Sequence, residues 1–206
     1  LISAGDSSNT IIDGGNQNYV IYISSQAIDT TTLIQGFNII NGNNSGGISI
    51  INSSPKIKNA LIENNESGGV LFSSSSAILT NSKVRTNNGY GVSFSSSNVK
   101  VSNTTISNNY GSGLTYNNSD GNIVNCYIQY NEAGRGGGVN IDSWSNPSFD
   151  NCLIGNNTAN NSYGAGGGVY IGDNSCPVFN EVIFVNNSSA YVGGGVAIYD
   201  SDSYYD

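Results

Sequence analysis

Residues able to do chemistry are sparse in this chain, and their spacing limits what they could do. Three aspartates fall at matching places in successive repeats: Asp142 directly after Ile141, Asp173 two residues after Ile171, and Asp200 two after Ile198, with Asp202 close behind. Carboxylates gathered at one bend repel unless they are solvated or bridged by a hard cation. Asp142, Asp173 and Asp200 are therefore candidate ligands for calcium, the one cofactor the sequence suggests. Aspartate also suits turns in its own right, which accounts for the same residues without a metal. Cleaving a glycosidic bond takes two carboxylates facing each other across it. The outward candidates, Glu63 and Asp150, belong to distant repeats, and Glu63 is better read as a solvated ion pair with Arg85. No residue is assigned a catalytic role.

A second set of residues offers contact surface. Along the outward series Leu61, Lys83, Thr105, Tyr127, Leu153 and Ile183, with Val185 beside it, the side chains turn apolar in the last three repeats. A contiguous apolar strip marks contact with another molecule, although β-propensity on an outer strand yields the same residues. Tyr127, Tyr130 and Trp144 present aromatic faces of the kind that stack on sugars. Tyr127, Tyr130, Leu153, Ile183, Val185 and Trp144 are together the candidate face for a ligand or partner. Cys126 and Cys152 share one inward series and are expected to stack as two thiols in the core. Cys176 lies in a bend with no evident mate.

The elements that must position these residues are set by composition and repetition. The chain has 206 residues with 10% charged, and Asn and Ser make up about a third of it. Hydrophobic residues still reach 37% and recur along the whole length, enough to bury a core. A formal charge of -8 with six scattered Lys and Arg gives no basic stripe for nucleic acid. No apolar run approaches the roughly 18 residues of a membrane span, so this segment is not expected to insert in one. Met is absent, so the chain is expected to be a processed or excised piece.

Asn65, Asn87, Asn109 and Asn131 are spaced by 22 residues, and Asn157 and Asn187 follow at 26 and 30. Glycine tracks them at Gly47, Gly69, Gly91, Gly113, Gly138, Gly168 and Gly195. A third series runs Asn59, Asn81, Asn103, Asn125, Asn151, Glu181. Within a repeat, apolar residues alternate with polar ones over a few positions, then break at Asn or Gly, which is strand patterning. Helical spacing is nowhere sustained. One repeat is too short to bury its own apolar face, so repeats must stack. The expected fold is all-β: a single parallel β-helix domain over residues 1–206, about eight coils of 22 to 30 residues with three short strands each. Residues 10–30 form an irregular first coil, 31–121 regular coils, and 122–206 longer coils with corner insertions. Asn65, Asn87, Asn109, Asn131, Asn157 and Asn187 form a structural ladder at a bend, where Asn tolerates left-handed backbone and bonds its counterparts one coil away.

The segments TIIDGG (10–15), LIQGFNIING (33–42) and FVNNSSAYVGGGV (184–196) resemble those of right-handed parallel β-helix proteins of the pectate-lyase-like class. They are most similar to bacterial cell-surface β-helices of the polymorphic outer-membrane protein type. The FxxN element is matched by Phe184 and Asn187, and the glycine element reads GGGV. The resemblance implies a secreted or cell-surface element with a structural or adhesive role, meeting extracellular polysaccharide or further copies of itself, end to end or side by side. Because the class includes pectin lyases and polygalacturonases, it implies as the alternative a calcium-dependent polysaccharide lyase or a carbohydrate-binding β-helix. The hydrolases of the class use a histidine, and this chain has none.

Overall fold

The computed structural model describes residues 1–43 and 46–199. Among the described residues there is no helix. Short strands such as Leu61–Glu63, Gly68–Ser73 and Ile78–Thr80 follow one another around three sides of a prism. Most runs are cut short by a residue in left-handed backbone, usually Asn or Ser. Sheet I runs from Ile11–Gln17 to Ile183–Val185 and sheet II from Ile21–Ser24 to Val196–Ile198, with eight strands each. Sheet III runs over seven strands from Leu33–Gln35 to Val178–Asn180. Every strand pairs in parallel with its counterpart one coil away, which makes a solenoid of about eight coils.

Four inward apolar series lie in register along the solenoid. Ile57, Leu79, Val101, Ile123, Phe149 and Phe179 pair in sequence across sheet III. Ile62, Val84, Ile106, Ile128, Ile154 and Phe184 do so across sheet I. Sheet II holds Val70 to Val196 and Phe72 to Ile198. Aromatic rings stack where the columns bring them together, with Phe94 and Tyr116 centred 4.5 Å apart and Phe149 and Phe179 5.0 Å apart. The series leave the core only at the last coil, where Val196 and Ile198 are 39% and 74% exposed because no described coil covers them.

At the corners the structure divides a task that the sequence assigns to one residue. Between sheets I and II the left-handed position is Asn64, Thr86, Asn108, Tyr130, Asn156 and Asn186, with φ between 50° and 57°. The next residue, from Asn65 to Asn187, points inward and makes the ladder. Asn109 shows the pattern: its Oδ1 accepts the backbone N–H of Asn87 at 3.1 Å and the Nδ2 of Asn87 at 3.0 Å. Its own Nδ2 donates to Val84 O at 3.3 Å and Asn131 Oδ1 at 2.9 Å. Gly91 faces this ladder, and a Cβ there would lie 2.6 Å from the Gly113 carbonyl oxygen and 2.9 Å from Asn109 Nδ2.

The other two corners repeat the arrangement with smaller side chains. Between sheets II and III, Ser75, Ser97, Ser119, Ser145 and Ser175 form a second ladder, each hydroxyl from Ser97 onward accepting the N–H of its counterpart one coil earlier at 3.0 to 3.1 Å. Between sheets III and I the column reads Ala60, Ser82, Thr104, Cys126, Cys152 and Val182. The residues inserted after Asn131, Asn157 and Asn187 add a small fourth sheet of Glu132–Ala133, Thr158–Ala159 and Ser188–Ser189. One further residue enters at the serine corner: Tyr116 to Ile123 spans seven positions, Ile141 to Phe149 spans eight. The extra length is taken up by two consecutive left-handed residues, Ser143 and Trp144.

Candidate functional site

The corner between sheets III and I carries a groove of about 580 Å³. Two rows running along the solenoid axis form it. Tyr127, Leu153 and Ile183 are outward residues of successive sheet I strands in direct register, and Tyr127 and Ile183 are 55% and 61% exposed. Beside them Asn103, Asn125, Asn151 and Glu181 occupy the left-handed corner position. Their side chains are linked, Asn125 Nδ2 to Asn103 Oδ1 at 3.3 Å and Asn151 Nδ2 to Asn125 Oδ1 at 2.8 Å. Strand alternation turns the apolar row outward, and the left-handed corner holds the amides next to it. The groove thus offers an apolar strip flanked by hydrogen-bonding groups, each repeating at the coil spacing of about 4.8 Å.

Three of the six predicted contact residues line this groove. Val185 shares a strand with Ile183 but stands in the other outward column, opposite Gly155. Tyr130 sits at the amide corner with φ 57°, and Trp144 at the serine corner with φ 63°. The groove thus brings together three of the six, because the corners separate residues that are close in the chain. The amide row was legible as the third repeating series, but composition marked it as turn residues and nothing placed it beside the apolar row.

The acidic residues meet differently from their sequence spacing. Asp142 is an outward strand residue paired with Asn117, whereas Asp173 is a corner residue with φ 34°. Their side chains nevertheless interact, and Asp200 lies outside the described residues. Burial pushes the Asp142 carboxyl above its usual range and the charge of Asp173 adds to this, partly offset by the Ser143 N–H at 3.0 Å and by Arg135. Arg135 lies over the Tyr170 ring, 4.8 Å from its centroid, and donates to its hydroxyl at 3.2 Å. Among the described residues no group of three or more His, Cys, Asp or Glu converges as a metal cage would. Glu63 and Arg85 form the expected ion pair at 2.8 Å, with the guanidinium side 46% exposed and hence of little energetic weight.

Beneath the groove, Cys126 and Cys152 are free, buried thiols on adjacent coils and contribute to its lining. Each thiol donates to the carbonyl two residues back, Cys126 to Val124 O and Cys152 to Asp150 O, both at 3.3 Å; the neighbouring Cys152 and burial push the Cys126 thiol up, and Cys126 in turn draws Cys152 down. Cys176 is exposed and apart from them.

The sequence matches the right handed beta helix region family over residues 3–154. The chain belongs to the right-handed β-helix family. No curated protein sequence matches this β-helix. Among solved structures it is similar to the mannuronan C-5 epimerase AlgE4 A-module of Azotobacter vinelandii, with TM-score 0.67 and 12% identity over 92% of this chain and 56% of that one. It is also similar to the pectate lyase Pel9A, with TM-score 0.59 and 13% identity over 94% of this chain and 59% of that one. At such identity the likeness is one of fold, and the β-helix spans little more than half the length of either enzyme.

Proposed function

We propose that this β-helix is a non-catalytic binding element, secreted or at a cell surface, that holds an extended, uncharged polysaccharide along its sheet I groove. The observation that carries this reading is the pairing of the Tyr127, Leu153 and Ile183 row with the Asn103, Asn125 and Asn151 row at one coil spacing. A sugar ring presents an apolar face and a rim of hydroxyls, and the two rows complement those two features. The coil rise of about 4.8 Å is close to the length of one sugar unit in an extended chain, so successive units meet equivalent groups. No Lys or Arg lines the groove, one carboxylate (Glu181) does, and the formal charge is -8, all of which favours a neutral chain over a polyuronate. A lone carboxylate also supports binding without glycosidic cleavage, which takes a facing pair. The likeness to enzymes acting on polysaccharides is compatible with this partner class and carries no argument about chemistry.

Isothermal titration against soluble xylan and glucan oligosaccharides, with polygalacturonate and alginate in parallel, tests the reading. Binding of a neutral glycan, weakened about tenfold in Tyr127→Ala by loss of roughly 1.4 kcal/mol of ring stacking, is expected. Rising ultraviolet absorbance with a polyuronate and calcium would replace it with the lyase alternative. Absence of binding to any glycan would overturn it.

A further inference from the structure

The corner between sheets I and II, which carries the asparagine ladder, holds a second concavity, and its shape follows from the ladder. In each coil from Asn65 to Asn131 the ladder amide is buried while its two chain neighbours are exposed. Turning one residue inward leaves a trough between two outward rows, each repeating at the coil spacing of about 4.8 Å. Asn64, Thr86, Asn108 and Tyr130 form one wall, held in left-handed backbone. Glu66, Asn88, Tyr110 and Glu132 form the other. The last three of these are fixed by backbone N–H bonds to a ladder carbonyl one coil earlier, at 2.8 to 3.0 Å. Over its early coils the trough encloses about 330 Å³ between Asn16 and Tyr110.

The walls combine rings with open hydrogen-bonding groups. Tyr110 lines the trough and is 69% exposed, and Tyr130, 53% exposed, stands one coil further on. An aromatic face so placed stacks on the apolar face of a sugar. Glu66 accepts Asn88 Nδ2 at 2.7 Å through one carboxylate oxygen and leaves the other open, and Asn88 keeps its Oδ1 and a second amide hydrogen. The Asn64 side chain has no hydrogen-bond partner among the described residues. These groups match the donors and acceptors of sugar hydroxyls, and no Lys or Arg lines the trough to attract an acidic chain. The serine corner makes the contrast: its concavity is lined by Ser, Asn and Asp, with no ring at all. From Asn16 to Tyr110 the trough runs four coil steps, about 19 Å, room for about four units of an extended glycan.

We propose that the ladder corner is a second binding site for a neutral, hydroxyl-rich glycan, with Tyr110 as its stacking ring and Glu66 and Asn88 as its hydrogen-bonding wall. The inference rests on the proposed function for the class of ligand alone, since it uses none of the same residues. The two concavities lie along opposite edges of sheet I and overlap at one coil, the one that supplies Asn103 to the first and Tyr110 to the second. Both run along the solenoid axis. With the sheet I groove also filled, the β-helix holds two polysaccharide chains side by side and acts as a cross-linker.

Isothermal titration with xylotetraose and cellotetraose tests the site on its own, because Tyr127→Ala weakens the sheet I groove and leaves the ladder corner intact. The unaltered chain should take up two tetrasaccharides. Tyr110→Ala should weaken one of the two events about tenfold, and Tyr110→Trp, which keeps a stacking ring, should restore it. Tyr110 is exposed, so both variants should melt as the unaltered chain does. With long, soluble arabinoxylan the unaltered chain should raise light scattering by joining polymers, and Tyr110→Ala and Tyr127→Ala should each lower that rise. A single event that Tyr127→Ala weakens and Tyr110→Ala leaves untouched would overturn this inference while the proposed function stands. A single event that only Tyr110→Ala weakens would uphold the ladder site and remove the sheet I groove. No uptake of either tetrasaccharide, or a second event equally strong in Tyr110→Ala, would overturn the ladder site.

Discussion

Two corner columns of this solenoid are built to the same plan and have diverged to different degrees. At the corner between sheets I and II, Asn fills the inward position in six successive coils, Asn65 to Asn187. At the corner between sheets III and I the same position reads Ala, Ser, Thr, Cys, Cys, Val. The difference follows from valence. An amide offers an acceptor and two donors, and each ladder Asn uses them on backbone and side chain in the coils on either side, so replacing one strips partners from its neighbours. A hydroxyl or thiol at the third corner chiefly bonds the carbonyl two residues back in its own coil, as Thr104 does with Ser102 O at 2.9 Å. Change there is absorbed locally. The permissive column is the one that lies under the groove, which suggests that variation accumulated where the scaffold tolerates it.

Breaking the rigid column is the strongest test. Asn109→Leu leaves the Asn87 N–H and Nδ2–H groups buried without their acceptor, and unfolding by urea should show a loss of about 4 kcal/mol. Loss below about 1 kcal/mol would mean that the ladder is not what holds successive coils in register.

The next effect has the opposite sign. Tyr116→Phe deletes the unpartnered hydroxyl and should stabilise the fold by about 2 kcal/mol at neutral pH. Burial raises the folded Tyr116 phenol well above its ordinary 10.0. Below that value neither state ionises, and above it the unfolded state releases its proton while the folded state retains it. Stability therefore falls as pH rises past about 10, and the variant should lack this contribution. Urea melts of both proteins at neutral and alkaline pH should show the gap between them widening.

How much of this was legible in the sequence depends on whether a feature repeats. The four inward columns could be read because the chain states each of them several times and the 22-residue spacing fixes their register. The groove could not, since it depends on which outward residues adjoin across a corner. Tyr127 and Tyr130 are three residues apart yet stand at opposite ends of one sheet I strand, beside different corners. Trp144 occupies a corner lengthened by one residue, a change hidden in the total length of its coil. The serine ladder was concealed by composition, because Ser75, Ser97 and Ser119 lie among many other serines and their inward direction shows only once the corners are drawn.

At the permissive column, Thr104→Val keeps the shape of the side chain but removes the acceptor for Ser82 N–H at 3.4 Å. The bond is long and only one donor is affected. The expected loss in urea melts is about 1 kcal/mol, a small fraction of that for Asn109→Leu. Equal losses at the two sites would erase the distinction between the columns.

The smallest effect concerns the left-handed residue that precedes each ladder amide. Four of the six positions from 64 to 186 carry Asn, while Thr86 adopts φ 50° with a β-branched side chain and Tyr130 adopts φ 57° with a bulky one. Left-handed backbone costs a branched residue about 1–2 kcal/mol, and Asn recovers part of this through local hydrogen bonding. Thr86 offsets some strain with a hydroxyl bond to the Arg85 carbonyl at 2.8 Å, an exposed contact that water can replace. Thr86→Asn should therefore raise stability by about 0.5 to 1 kcal/mol, measurable as a rise of a few degrees in melting temperature. A drop instead would show that the Arg85 contact, and not the backbone angle, governs this corner, and that the two tasks divided between neighbouring residues are less separable than the register implies.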